Sequence, residues 1–385
     1  MDIGQLVQKY RLQAPVLVTR PTMPRLDDYQ RLLEEIWESK WLTNCGKFHA
    51  EFEKELSSYL GVEYVNLFCN GTIALLVALQ MLEITGGEVI TTPFTFPATC
   101  HVLYWNNLTP VFCDIEKDTF NMDAGRIESL ITPETKAILP VHVFGNPCNI
   151  EAIQEIADRH GLKVIYDAAH AFGVSYKGKS ITQFGDVSML SFHATKLFSS
   201  IEGGALVPKT MSQRNRVNFL KNFGIVNEET VIGPGINGKM NELQAAYGLL
   251  QLKIVDAEIA NRKRLTQLYR ERLKNIPGIS FQDEMPFVTH NYSHFAITVD
   301  QELFGLSRDG LYEKLKLFNI VPRKYFYPLC SHFACYSGLP SANKENLPVA
   351  EETAEKVLCL PLYGTLGDGP IEIICEVIRE IQRLA

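Results

Sequence analysis

The order of elements along the chain predicts an α/β fold: a mostly parallel sheet in a large domain, followed by a smaller α+β domain. Three observations carry this. Between residues 64 and 207, short apolar runs alternate with helical patterns, the order that builds parallel strands covered by helices on both faces. Polar residues recur where those runs end, at Asn70, Thr95, His142, Asp167 and Ser191. In open α/β sheets, ligands bind beyond the carboxyl ends of strands. After about residue 245 the alternation stops, and a long helical pattern leads into a shorter α+β region. The expected division is 1–245, including an N-terminal helical segment, and 246–385. A chain of 385 residues is too long for one simple core.

The elements follow in order. Residues 27–40 set Tyr29, Leu32, Leu33, Ile36 and Trp37 on one helical face. A short helix over Phe48–Leu60 stops at Gly61. Tyr64–Phe68 is the first strand, Asn70-Gly71-Thr72 a turn, and Ile73–Leu82 an apolar helix. Strands are expected at Glu88–Thr92, Thr109–Cys113, Ala137–Val141 and Lys163–Tyr166, with a helix over Asn149–His160 capped by Asn149. Val187–Ser191 and Ala205–Val207 bring the strands to seven. Beyond them, one helix is expected over roughly Glu242–Leu273, carrying Arg262, Lys263 and Arg264 in a solvated stretch, then a strand at Ser293–Val299.

Composition narrows the function. Hydrophobic residues make up 46% and charged residues 21%, an ordinary soluble balance. A net charge of −7 argues against nucleic acid, which needs a basic stripe. No apolar run is long enough to span a bilayer. The N-terminus lacks the basic-then-apolar order of a secretory signal, so a cytoplasmic protein is expected. The nine cysteines form no CxxC pair. Cys330 and Cys335 lie nearest each other, at a spacing that matches no common metal site; reduced thiols and no metal are expected.

Lys196 is the most informative residue. It ends the run Ser191-Phe192-His193-Ala194-Thr195-Lys196, shortly before Ile201-Glu202-Gly203-Gly204. An amine in this apolar, hydroxyl-flanked setting can lose a proton and attack a bound aldehyde. Asp167 follows the apolar run Val164-Ile165-Tyr166 and should project from a strand tip. A carboxylate there can keep a pyridine nitrogen protonated, so that a pyridoxal ring stays electron-withdrawing; capping the following helix is the alternative. Gly71 and Thr72 offer backbone amides at the positive end of a helix, where a phosphate docks, and Ser191 can add a hydroxyl. Phe96 can stack on the ring, whereas Phe94 is read as core. His170, three residues after Asp167, either reaches the ring or is a structural histidine.

These segments resemble the DegT/DnrJ/EryC1/StrS group of sugar-nucleotide aminotransferases. The likeness runs over nearly the whole chain. It is carried by Trp41-Leu42-Thr43-Asn44, Asn70-Gly71-Thr72, Pro93-Phe94-Thr95-Phe96, Pro140–Gly145, Tyr166–Gly173, Ser191–Lys196 with Glu202-Gly203-Gly204, and Gly235–Met240. It implies the type I fold of pyridoxal 5'-phosphate enzymes, working as a homodimer with a shared cleft. By motif, Lys196 would carry the cofactor, Asp167 would pair with its ring nitrogen, Gly71, Thr72 and Ser191 would hold its phosphate, and Phe96 would stack on it. Asn237 matches the asparagine that reaches the phosphate from the partner subunit, while Gly238 departs from the aromatic residue often found after it. Some members replace the lysine by histidine and dehydrate sugars; Lys196 favours transamination. Val18–Pro21 and Trp37–Gly46, with Tyr166–His170, look most like the branch that aminates dTDP-4-keto-6-deoxy-D-glucose at C4, with L-glutamate as donor, for surface polysaccharide such as O-antigen. A 3-keto substrate is the nearest alternative, and a non-catalytic sensing role on the same fold is another. Asn44, Arg323, Lys324, Tyr325 and His332 are the expected sugar or nucleotide contacts. The basic and aromatic run Pro322–Pro328 is suited to stacking a base and pairing with diphosphate, or is an ordinary loop.

Overall fold

The computed structural model describes residues 2–385. Seven strands form the main sheet: β1 (Asn66–Phe68), β2 (Glu88–Thr91), β3 (Thr109–Phe112), β4 (Thr135–Leu139), β5 (Lys163–Asp167), β6 (Val187–Ser191) and β7 (Gly204–Pro208). Their spatial order is β1-β7-β6-β5-β4-β2-β3. From β6 to β3 every pairing is parallel, and β7 alone runs against both of its neighbours. Successive residues of a strand face opposite sides. Accordingly, Ile90, Tyr166 and Ala205 enter one apolar layer, while Val89, Ile165 and Leu206 enter the other.

A three-stranded antiparallel sheet lies further along the chain, with Phe295–Val299 between Ile279–Phe281 and Val357–Leu360. Its core includes Leu265, Tyr269, Ile297, Ile374 and Ile378. The N-terminal helix Ile3–Tyr10 is held by a reciprocal Asp2–Gln5 cap and places Leu6 in this same core. Val16–Leu17 pairs in parallel with Ile320–Val321. The first residues therefore pack with the C-terminal part, although their sequence position groups them with residues 1–245.

Two further expectations change. The single helix over 242–273 is two helices, Glu242–Leu252 and Val255–Leu273. Lys253 and Ile254 close a tight turn by donating to the carbonyls of Leu250 and Gln251; three-residue closures of this kind end an α-helix. Arg262 is not solvated. It is 2% exposed and its Nε donates to Glu258 Oε1 at 2.6 Å, because the Val255–Leu273 helix is covered on that side by Thr22, Ser293 and Gly364.

Candidate active site

The carboxyl ends of β1, β5 and β6 open on one cleft of about 340 Å³. Gly71, Thr72, Phe96, Asp167, His170, Ser191, Lys196, Arg323 and Tyr325 all line it.

One end is the start of the Gly71–Met81 helix. Asn70 caps it: its side chain accepts the Ile73 N–H at 2.8 Å, and its carbonyl accepts that of Ala74. The N–H groups of Gly71 and Thr72 have no acceptor within the helix, and both residues line the cleft, where they can take an anion. Ser191, the last residue of β6, lies against this turn; a Cβ on Gly71 would sit 3.1 Å from the Ser191 Cβ. Gly204 of β7 is needed for the same close approach, since a Cβ there would fall 2.7 Å from the Gly71 nitrogen.

Asp167 ends β5 and is only 4% exposed. Its Oδ1 accepts the Ala169 N–H at 3.0 Å and its Oδ2 accepts the Thr99 hydroxyl at 2.8 Å. Both bonds favour the charged form, as does Lys196, but burial is the larger influence and raises the carboxyl above its ordinary range. No helix starts here, so the capping alternative reduces to a local turn closed by Ala169.

Lys196 lies in the loop between β6 and β7. Phe192 and Phe198, both fully buried, pack edge to face at 5.0 Å. The Phe192 carbonyl accepts the Ser200 N–H and closes the loop. Lys196 lines the cleft. Burial pushes it down from 10.5 to about 8, against the opposing charge of Asp167.

His170 is buried, and its Nδ1 accepts the Phe144 N–H at 3.3 Å, which leaves Nε2 as the protonated nitrogen of the neutral ring. Burial, with Lys196 nearby, holds it neutral. Its ring lies parallel to Phe326 and 4.6 Å from His294. Phe96 is 54% exposed at the start of the Pro97–Trp105 helix and forms an open aromatic wall, while Phe94 is core.

Four expected residues lie outside this cleft. Lys324 pairs with Asp309 at 2.8 Å, and His332 with Glu351 at 2.6 Å. Asn44 and Asn237 are exposed on other surfaces; Asn237 bridges back to Asn222. Conversely, Thr19, Thr95, Glu202, His294 and Phe326 line the cleft without having been singled out for the site. Thr95 carried a signal as a polar residue beyond a strand end, and Thr19, Glu202 and Phe326 lie in the segments Val18–Pro21, Glu202-Gly203-Gly204 and Pro322–Pro328 already picked out; His294 carried none.

The donor set fits pyridoxal phosphate: an amine for the aldehyde, a carboxylate for the ring nitrogen, free amides and a hydroxyl for the phosphate, and an arene for the ring face.

The family model of the DegT/DnrJ/EryC1/StrS aminotransferases matches residues 26–379. A dTDP-4-amino-4,6-dideoxy-D-glucose transaminase of Escherichia coli is 50% identical over 363 residues, covering 94% of this chain and 96% of the relative. The protein of that name from Shigella dysenteriae is 47% identical, over 96% and 100% of the two chains. Among solved structures, DesI in the presence of its TDP-sugar product superposes with a TM-score of 0.92 at 35% identity, covering 97% of this chain and 94% of that one.

Proposed function

This chain belongs to the DegT/DnrJ/EryC1/StrS aminotransferase family, and from that premise we propose that it converts dTDP-4-keto-6-deoxy-D-glucose and L-glutamate to dTDP-4-amino-4,6-dideoxy-D-glucose and 2-oxoglutarate. It is an enzyme dependent on pyridoxal phosphate, which sets the sensing role aside. The observation that carries the reading is a deprotonation-prone amine, Lys196, facing a buried carboxylate, Asp167, in one cleft. The two transaminases at about half identity support the sugar and the carbon aminated.

The cofactor supplies an aldehyde and an electron-withdrawing ring. The protein supplies the rest. Gly71, Thr72 and Ser191 bind the phosphate. Asp167 holds a proton on the ring nitrogen. Phe96 would cover one ring face, and His170 lines the same cleft, packed on Phe326 and His294. Lys196 would take up and return a proton at the reacting carbon, as base and then as acid. Arg323 and Tyr325, with their cation–π contact of 5.3 Å, form the wall offered to the sugar nucleotide.

The working unit in this reading is a homodimer. Exposed Trp41, Leu42, Phe223, Val231 and Ile232 lie on segments joined through the Leu42–Glu242 and Phe223–Ile236 hydrogen bonds. Asn237 and Asn44 lie on the same segments; in this reading Asn237 reaches the partner's phosphate site. Among the described residues no helix is long and apolar enough to cross a membrane; a cytoplasmic enzyme feeding surface polysaccharide such as O-antigen is the reading we adopt.

Incubation with glutamate and a panel of 3-keto and 4-keto sugar nucleotides, with product identification by NMR, tests this. Amination at C4 of the dTDP-linked 4-keto sugar is expected; amination at C3 alone, or no amination, overturns it.

A further inference from the structure

Asp167 stands at the end of a short chain of hydroxyls. Thr99 Oγ1 donates to Asp167 Oδ2 at 2.8 Å, and Thr95 Oγ1 lies 2.8 Å from Thr99 Oγ1. Both threonines are buried, at 2% and 0% exposure. A hydroxyl has one proton to give. With Asp167 ionised, that of Thr99 is committed to the carboxylate, so the Thr95 proton must point at Thr99. The direction of both bonds is therefore set by the charge at the far end, and each bond polarises the next. The same turn carries Phe96 between the two threonines, so the ring-covering arene and the ring-nitrogen partner share one support.

We propose that Thr95 and Thr99 are positioning residues, a one-way hydroxyl relay that keeps Asp167 ionised and aimed at the cofactor's ring nitrogen. The proposal rests on the functional reading above. The relay is needed because burial works against the charge. The other titratable groups felt at Asp167 are Lys196 and the thiols of Cys100 and Cys148, and His170 lines the same cleft. Contact with the Cys330 thiol, and then burial, keeps the Cys100 thiol protonated; burial does the same for Cys148 and holds His170 neutral. Of these, Lys196 alone carries charge near neutrality. The Ala169 N–H and the Thr99 hydroxyl are the fixed donors to the carboxylate.

The test uses pyridoxamine phosphate, which has no aldehyde and binds without engaging Lys196 covalently. Its Kd is measured by fluorescence from pH 6 to 9 on the cofactor-free full chain, for wild type, Thr99→Val, Thr99→Ser and Thr95→Val, each checked for folding by thermal melting. Val keeps the shape and removes the hydroxyl. Thr99→Val is expected to weaken binding on the order of 10-fold or more, with the acid limb of the profile moved to higher pH. Thr99→Ser should restore both, and Thr95→Val should produce a smaller change in the same direction. A folded Thr99→Val protein whose Kd and acid limb match wild type overturns the relay, as does equal loss in Val and Ser. Wild-type protein that binds no cofactor overturns the functional reading, and the relay with it.

Discussion

Replacing Asp167 by Asn separates two effects of one carboxylate. Burial pushes the Lys196 amine to about 8, and the charge of Asp167 acts in the opposite direction. At pH 7, an amine titrating near 8 is neutral in about one molecule in ten, against about one in 3,000 for an ordinary lysine. Asn removes the opposing charge, so the amine titrates lower still and its neutral fraction grows. That fraction cannot exceed one, so the gain in nucleophile at pH 7 is bounded at about ten-fold. Turnover moves the other way: without a carboxylate at the ring nitrogen, transamination should fall on the order of 10²–10⁴-fold, the range for a positioned proton-holding group. The assay pairs steady-state transamination with borohydride trapping of salicylaldehyde, an aldehyde without a ring nitrogen, followed by peptide mapping across pH 6–9. Asp167→Asn should label Lys196 at least as fast as wild type at pH 7, with a lower pH midpoint, while losing turnover. Slower labelling, with the midpoint moved up toward that of a free lysine, would refute the assignment of burial as the cause of the depressed amine.

Three other outcomes follow from the same geometry. His49, His142 and His290 are held neutral by burial, down to about 4, about 3 and about 4; the unfolded chain binds protons on these rings first, so stability is full above pH 6.5 and is lost as pH falls toward 4. Calorimetric melting should show that loss, and His49→Phe should flatten it, since both ring nitrogens of His49 lack hydrogen-bond partners; an unchanged slope would count against a buried neutral ring. Arg262→Met strands the Glu258 charge, in a pair with side chains 3% and 4% exposed, and should cost about 3–5 kcal/mol, whereas Glu258→Met with Arg262→Met should regain more than half of the lost melting temperature. Mixing Lys196→Ala with Asn237→Ala protein, each inactive alone, should restore about a quarter of wild-type activity if each site takes Asn237 from the partner; no recovery after verified subunit exchange would place Asn237 outside the site.

Local pattern made the seven strands legible, because buried parallel strands are short apolar runs with β-branched residues and clear ends. It also located the groups that meet at the carboxyl ends: Gly71, Thr72, Asp167, Ser191 and Lys196 each sit within five residues of a strand terminus. What the pattern could not reveal was cover supplied from far along the chain. Arg262 lies in a run of three cations and reads as solvated; only Thr22, Ser293 and Gly364, brought in from segments 31 to 240 positions away, make it interior. The Glu258–Arg262 spacing of one helical turn was visible, but the same spacing is common on surfaces. His294 and Phe326 reach the cleft for the same reason, as parts of the C-terminal region folded over the sheet. Lys324 and His332 read as binding residues from their basic and aromatic neighbours, yet each already has a carboxylate, Asp309 and Glu351, that no local window pairs with it. The chemistry of Lys196 divides along this line. That an amine stands there is a property of the sequence; that burial pushes it down to about 8 is a property of the cleft, which Tyr325, Phe326 and His294 help to line from more than ninety residues downstream.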